Sequence, residues 1–357
     1  MDRFITIDDF EVAAAEVLPK MAYDYYRSGA EQEKTLKANR SAFDTYKLWY
    51  RVLVNVESVD VSTEILGSRL RMPIMLAPTA YQKLAHPLGE AATAIGAASA
   101  GTIMVVSTLA TTSLEDVASS SDGDKWFQLY VHKDRGLTKE LVERAHAAGY
   151  RALVLTVDAP VLGRRLADER NSFALPEGLS MENLSSSELI NESQAGSALG
   201  AYVADRHDAS LTWDDLDWVR SLSDLPLVIK GVVRPDDARR AVKAGADGIV
   251  VSNHGGRQLD GAPPSIVALD HISQEIGDEV LLLVDGGIRS GIEVLKALAL
   301  GARAVLVGRP VIWGLAVDGP DGVSAVLEML TTELEAAMKL SGCARIADVD
   351  RGLLTPS

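Results

Sequence analysis

Residues 281–310 read LLLVDGGIRSGIEVLKALALGARAVLVGRP. A short apolar run ends on Asp285, Gly286 and Gly287, a helical pattern opens after Ser290 and stops near Gly301, and a second apolar run ends on Gly308 and Arg309. Apolar runs too short for helices, alternating with segments of 3.6-residue period, are parallel strands joined by crossover helices. Outward from this unit the same grammar recurs in PIMLAPT (73–79), TIMVVST (102–108), WFQLY (126–130), ALVLTVD (152–158), PLVIK (226–230) and GIVVSNH (248–254). Eight such strands imply a parallel sheet closed on itself, an α/β fold of the (β/α)8 TIM-barrel type. The carboxyl ends of barrel strands converge on one mouth, so Ser107, Gln128, Tyr130, Thr156, Asp158, Lys230, Ser252, His254, Asp285 and Arg309 are expected to share one site.

The helices between the strands are equally plain. RGLTKELVERAHAAG, RPDDARRAVKAGA and PPSIVALDHISQEIG each run to a glycine suited to the left-handed conformation that ends a helix. Residues 6–27 predict two short helices before the barrel, with Thr6 as a cap and Pro19 opening the second. Residues 320–342 predict a last amphipathic helix ending at Gly342. The interval 166–224 is too long for one crossover helix, and its polar part predicts a mobile surface loop within 176–200. No linker divides the chain, so one domain over 1–357 is expected, with its barrel core at about 73–342.

Composition narrows the function. A formal charge of -15 argues against nucleic acid or an anionic membrane as partner. The single cysteine, Cys343, permits neither an intrachain disulfide nor a multi-cysteine metal site, and the six histidines show no ligand spacing, so no metal is expected. The amino-terminal segment lacks the pattern of a signal peptide and the last residues, TPS, are not a peroxisomal address; a cytoplasmic location is the expectation.

GIVVSNHGGRQLD carries the chemistry most sharply. Residues two apart on a strand face one side, which points Ser252 and His254 at the mouth, with Gly255 and Gly256 leaving room for a flat ligand and Arg257 returning over it. In TVDAPVLGRR the same period pairs Thr156 with Asp158, a carboxylate suited to orient His254 as a general base. Asp158 as a turn residue before Pro160 is the alternative. Arg165 and Arg257 offer two guanidinium forks for a carboxylate, although Arg165, like Arg164, also suits a solvated surface. The glycine-rich tips DGGIRSG and GRP, with Arg289 and Arg309, suit a phosphate. Lys230 puts a positive charge where something gains electrons. A phosphorylated planar cofactor beside a small carboxylate satisfies all of these, and FMN fits; a Rossmann fingerprint is absent.

With these motifs assembled, the chain resembles the FMN-dependent (S)-2-hydroxy-acid oxidases, the family of glycolate oxidase, lactate oxidase and the mandelate and lactate dehydrogenases. The resemblance runs nearly end to end through PKMAYDYYRSGAE, APTAYQKLAHPLGE, WFQLY, TVDAPVLGRR, KGV, SNHGGRQLDG, VDGGIRSG and MKLSGC. It implies that Pro78, Thr79 and Ala80 meet FMN through backbone and that Ser107, Gln128, Thr156, Lys230 and Ser252 bond its ring. Asp285, Gly286, Gly287, Arg289, Gly308 and Arg309 would hold its ribityl chain and phosphate. Tyr25, Arg165 and Arg257 would bind the substrate carboxylate, Tyr130 its hydroxyl, and His254, oriented by Asp158, would take the proton. The product would be a 2-oxo acid, with oxygen reduced to hydrogen peroxide.

Leu109 stands where plant-type glycolate oxidases have tryptophan and so leaves room for a methyl, which favours L-lactate. Thr79 and Val203 match the glycolate-oxidase versions of their positions and keep glycolate a close second. Tyr81 suits either substrate choice or packing. The resemblance also implies a homotetramer or homo-octamer. Open alternatives are a dehydrogenase with another electron acceptor acting on mandelate or a longer 2-hydroxy acid, an FMN isomerase barrel, and a noncatalytic flavin-binding barrel.

Overall fold

In a computed structural model that describes residues 4–184 and 206–355, eight parallel strands close into a barrel. An antiparallel hairpin, β1 (Thr63–Ile65) and β2 (Ser68–Leu70), precedes it. The barrel strands are β3 (Ile74–Leu76), β4 (Met104–Ser107), β5 (Lys125–Leu129), β6 (Leu153–Thr156), β7 (Leu227–Val232), β8 (Gly248–Val251), β9 (Leu281–Asp285) and β10 (Ala304–Val307), with β10 closing onto β3. Each follows one of the apolar runs, and the expected TIM barrel is borne out. A strand covered by the barrel interior on one face and by helices on the other needs apolar side chains throughout. Accordingly every residue of β4, β5, β6, β8 and β10 is buried.

The register sets polar tips beside one another in pairs: Ser107 with Gln128, and Thr156 with Lys230. Helix α1 (Ile7–Val17) begins with a capping box between Thr6 and Asp9, and α2 (Lys20–Arg27) begins at Pro19. A third helix, α3 (Lys34–Ser41), was not expected from the sequence. The last helical stretch, Arg309–Ser341, breaks at Asp318 and Gly319 before Pro320 and ends at Gly342 with φ of 75°. Among the described residues, no helix is long and apolar enough to cross a membrane.

The long interval after β6 is described only in part. Residues 185–200 of the expected mobile loop, and Val203, lie outside the described residues. The loop's first part, however, is anchored. Asn183 is fully buried; its side-chain carbonyl accepts the Leu114 N–H at 2.7 Å, and its amide donates to the Ser107 and Thr108 carbonyls at 3.2 Å. One asparagine thereby satisfies two carbonyls at the end of β4 and the first N–H of the helix that follows, which a polar reading of MENLSSS does not reveal.

Candidate active site

A cavity of about 1200 Å3, counting its open mouth, occupies the carboxyl end of the barrel. Its walls include Tyr25, Pro78, Thr79, Ala80, Ser107, Leu109, Gln128, Tyr130, Thr156, Arg165, Lys230, His254, Arg257, Asp285, Gly286, Gly287, Arg289, Gly308 and Arg309. Of the expected site residues only Asp158 and Ser252 stand one step behind this wall, each touching a residue that forms it. Tyr81 does not line it: fully buried, it packs near Tyr25 and Phe173, so the packing alternative is the one observed.

His254 reaches the mouth by a different geometry from the one its spacing implies. The strand β8 ends at Val251, and His254 sits in a turn with φ of 60°. That left-handed backbone is strained for a residue with a side chain and persists only when its surroundings hold it. The Ser252 hydroxyl accepts the His254 N–H at 3.0 Å. Asn253 and Asn39, 214 positions apart, exchange two amide hydrogen bonds of 2.8 Å, and the Asn253 carbonyl oxygen also accepts the Gly256 N–H. The imidazole then meets Asp158, with Nδ1 to Oδ1 at 2.8 Å.

Asp158 likewise lies beyond its strand, which ends at Thr156. Gln258 donates to its backbone carbonyl at 2.8 Å and to that of Val161 at 2.9 Å, tying the loop after β8 to the loop after β6. Burial pushes the Asp158 carboxyl upward, but His254 and Lys230 prevail and hold it below the usual carboxylate range. Gly231, with φ of 108°, passes so near Asp158 that an added Cβ would fall 2.6 Å from its Cβ and Cγ. Only glycine combines that backbone with that approach.

The cationic side of the cavity is crowded. Arg165 is buried, unlike its neighbour Arg164, which is exposed and pairs with Glu169; the surface alternative for Arg165 is thereby removed. Arg257 lies over the Tyr25 ring at 4.9 Å and donates to the Tyr25 and Ser28 carbonyls at 2.6 and 2.8 Å. Arg309 donates to the carbonyls of Tyr26, Gly255 and Ser28 at 2.9, 3.0 and 2.9 Å. These bonds hook the end of α2 onto the barrel mouth. Burial, then Arg165, lowers Arg257 to about 10, and burial with Arg257 and Arg289 lowers Arg309 well below its ordinary value. Such mutual repulsion is relieved by an anion.

Lys230 is buried between two partners, with Nζ at 3.0 Å from both Asp285 Oδ2 and Ser252 Oγ. Burial opposes its charge, but Asp285 and Asp158 raise it above the ordinary lysine value. Asp285 therefore serves Lys230 with one oxygen and keeps Oδ1 buried and unpartnered. Gln128 Nε2, Thr156 Oγ1 and Arg289 Nε are also buried without partners and belong to cavity-lining residues. Buried polar atoms normally have partners. Donors and acceptors held beside crowded guanidinium groups fit a phosphorylated ring system.

The chain matches the FMN-dependent dehydrogenase family over residues 14–356. It belongs to that family. The expected cofactor, FMN, is borne out, and so is the resemblance carried by the motifs. As an FMN-dependent dehydrogenase family member, the chain is 54% identical to an L-lactate oxidase of Nostoc sp., over 98% of each. It is 49% identical to 2-hydroxyacid oxidase 1 of Homo sapiens, over 99% of this chain and 97% of the relative. A crystal structure of mandelate oxidase with (S)-4-hydroxymandelic acid superposes with a TM-score of 0.93 at 46% identity, over 97% of each chain.

Several cavity residues escaped the sequence reading, among them Tyr26, Ala159, Leu162, Gln258, Ile312 and His207. His207, in the long interval after β6, lines the site and stacks on the Tyr130 ring at 4.5 Å. Its only sequence signal is a histidine a few residues before a strand-preceding helix, which is no signal for a wall position.

Proposed function

We propose that the protein oxidises small (S)-2-hydroxy acids to 2-oxo acids with FMN as cofactor, L-lactate first and glycolate close behind, and that oxygen takes up the electrons to give hydrogen peroxide. The observation that carries this reading is the 2.8 Å contact of His254 Nδ1 with Asp158 at a cavity lined also by Tyr130, Arg165 and Arg257. With Nδ1–H donated to the carboxylate, Nε2 is the base that takes the substrate proton. Arg165, Arg257 and Tyr25 hold the carboxylate, and the Tyr130 hydroxyl bonds the substrate oxygen. Burial, then Asp158, raises Tyr130 above the ordinary phenol value, so it stays protonated and donates.

FMN, when bound, accepts the two electrons. Pro78, Thr79 and Ala80 would meet it through backbone, and Gln128 Nε2 and Thr156 Oγ1 through their unpartnered atoms, with Ser107 beside them. Lys230, steadied by Ser252, keeps a positive charge where negative charge grows. Asp285, Gly286, Gly287, Arg289, Gly308 and Arg309 would take the ribityl chain and phosphate. The relatives that oxidise L-lactate and 2-hydroxy acids by name support the substrate class. Leu109 supports the order: burying one more methyl against it contributes about 0.8 kcal/mol, roughly fourfold in favour of L-lactate. The chain works as one domain, assembled as a homotetramer or homo-octamer in the cytoplasm; light scattering tests the assembly.

The deciding experiment adds L-lactate to the yellow protein without oxygen. Bleaching of the flavin band, followed by oxygen uptake with peroxide formation, is expected. Failure to bleach with either L-lactate or glycolate overturns the reading, and a much higher kcat/KM on glycolate overturns the substrate order.

A further inference from the structure

A second cavity, about 1080 Å3 counting its open mouth, lies beside the first. Both are lined by Tyr130, Thr156, Ala159 and His207, so these four residues are the partition between them. Beyond the partition the walls are apolar at Val131, Leu211, Trp213, Leu216, Ile229 and Val232 and polar at Asp208, Thr212, Arg234 and Asp237. Tyr130 and Thr156 serve the proposed chemistry and Ala159 carries only a methyl. Among the described residues, His207 is the one part of the wall that can change size while the reacting groups stay in place.

Its position is set by backbone pairing. His207 forms an antiparallel bridge with His132, flanked by Lys133 N–H to the Arg206 carbonyl at 2.8 Å and Asp208 N–H to the Val131 carbonyl at 3.0 Å. The short ladder lays the His207 ring on Tyr130 at 4.5 Å and edge-on to His132 at 5.7 Å, leaving it 4% exposed. Burial lowers its imidazole to about 4, so the ring is neutral at assay pH and presents a flat, uncharged face.

From this geometry we propose that His207 sets the chain-length limit of the substrate by closing the catalytic cavity from a neighbouring compartment whose apolar side, Val131, Leu211, Trp213, Leu216, Ile229 and Val232, suits the alkyl tail of a longer 2-hydroxy acid. The proposal rests on the 2-hydroxy-acid reading above and adds the residue that determines which acids enter. Each tail methylene that leaves water for the second compartment is worth about fourfold in kcat/KM, from roughly 0.8 kcal/mol per CH2. Three methylenes passing the partition would give about 60-fold.

The test compares kcat/KM for (S)-2-hydroxyoctanoate with that for L-lactate in the FMN-bound wild type, His207→Ala, His207→Val and His207→Phe. The ratio cancels any general loss from a less firmly held Tyr130. It should rise by at least about 10-fold in His207→Ala and by a smaller factor in His207→Val, and stay at the wild-type value in His207→Phe, which keeps a flat ring. If the alanine variant does not fold, the valine variant carries the comparison. An unchanged ratio in the truncated variants, or an equal rise in the phenylalanine variant, overturns the proposal while leaving the lactate reaction standing. A wild-type flavin that no 2-hydroxy acid bleaches overturns both.

Discussion

Replacing Asp158 with asparagine isolates the contribution of one charge. Asparagine keeps the size and an acceptor oxygen, the backbone carbonyl held by Gln258 is untouched, and none of the proposed FMN contacts is altered. What is lost is a charge-assisted hydrogen bond of 2.8 Å to His254. Hydrogen bonds to charged groups contribute about 1.5–3 kcal/mol. At about 1.36 kcal/mol per decade of rate, that loss corresponds to roughly 10- to 150-fold. The assay is anaerobic flavin reduction by L-lactate, followed at the visible band in a stopped-flow instrument. Asp158→Asn should bind FMN with an unaltered spectrum and reduce it roughly 10- to 150-fold more slowly. His254→Ala should lose about 10²–10⁴, the usual worth of a general base. Adding Asp158→Asn to His254→Ala should then cost little more, because the carboxylate acts through the imidazole. A reduction rate within threefold of wild type in FMN-loaded Asp158→Asn would refute the pairing as the source of the base's strength.

Gly231→Ala tests the same unit without touching a reacting atom. Its new Cβ would collide with Asp158 at 2.6 Å on a backbone with φ of 108°, so flavin reduction should fall by at least about 10-fold and stability by about 1–3 kcal/mol; unchanged kinetics would show that Asp158 moves aside at no loss. His132 and His207 are both held neutral, lowered to about 4 chiefly by burial. Their unfolded value is about 6.5, so protons bind the unfolded chain first, and the stability they contribute is full above about pH 6.5 and is lost as pH falls toward 4. At pH 5 each should cost about 2 kcal/mol, and denaturant melts of His207→Phe should show a correspondingly shallower acid loss; an identical pH slope would contradict this. Removing FMN should lower Tm by several degrees, since a ligand at 100 times its Kd contributes about 2.7 kcal/mol, and inorganic phosphate should restore part of the loss by relieving Arg257, Arg289 and Arg309. No recovery with phosphate would place the anion elsewhere.

The parts of this molecule that sequence made legible share one physical property: they are local. A barrel strand is an apolar run because both of its faces are covered, and its tip is polar because the mouth needs chemistry, so Gln128, Thr156, Lys230 and Asp285 could be placed from their own neighbours. His254 and Asp158 were found for a related reason, although the two-residue period that located them stops before either one. His254 arrives instead through a left-handed turn held by Asn253 and by Asn39, a residue 214 positions away on an unexpected helix. No local pattern announces such a pair. Asn183 and His207 show the same limit, since each gains its role from a segment folded back onto β4 or β5 rather than from its own surroundings in the chain. The division has a functional meaning. The groups proposed to perform the common chemistry sit on or just past rigid strands and read directly, whereas a wall such as His207 stands on a returning loop. Loops can change without disturbing the barrel, so substrate choice is expected to vary where sequence is least legible, and variants at His207 should alter which acid is oxidised while leaving the His254 and Asp158 chemistry in place.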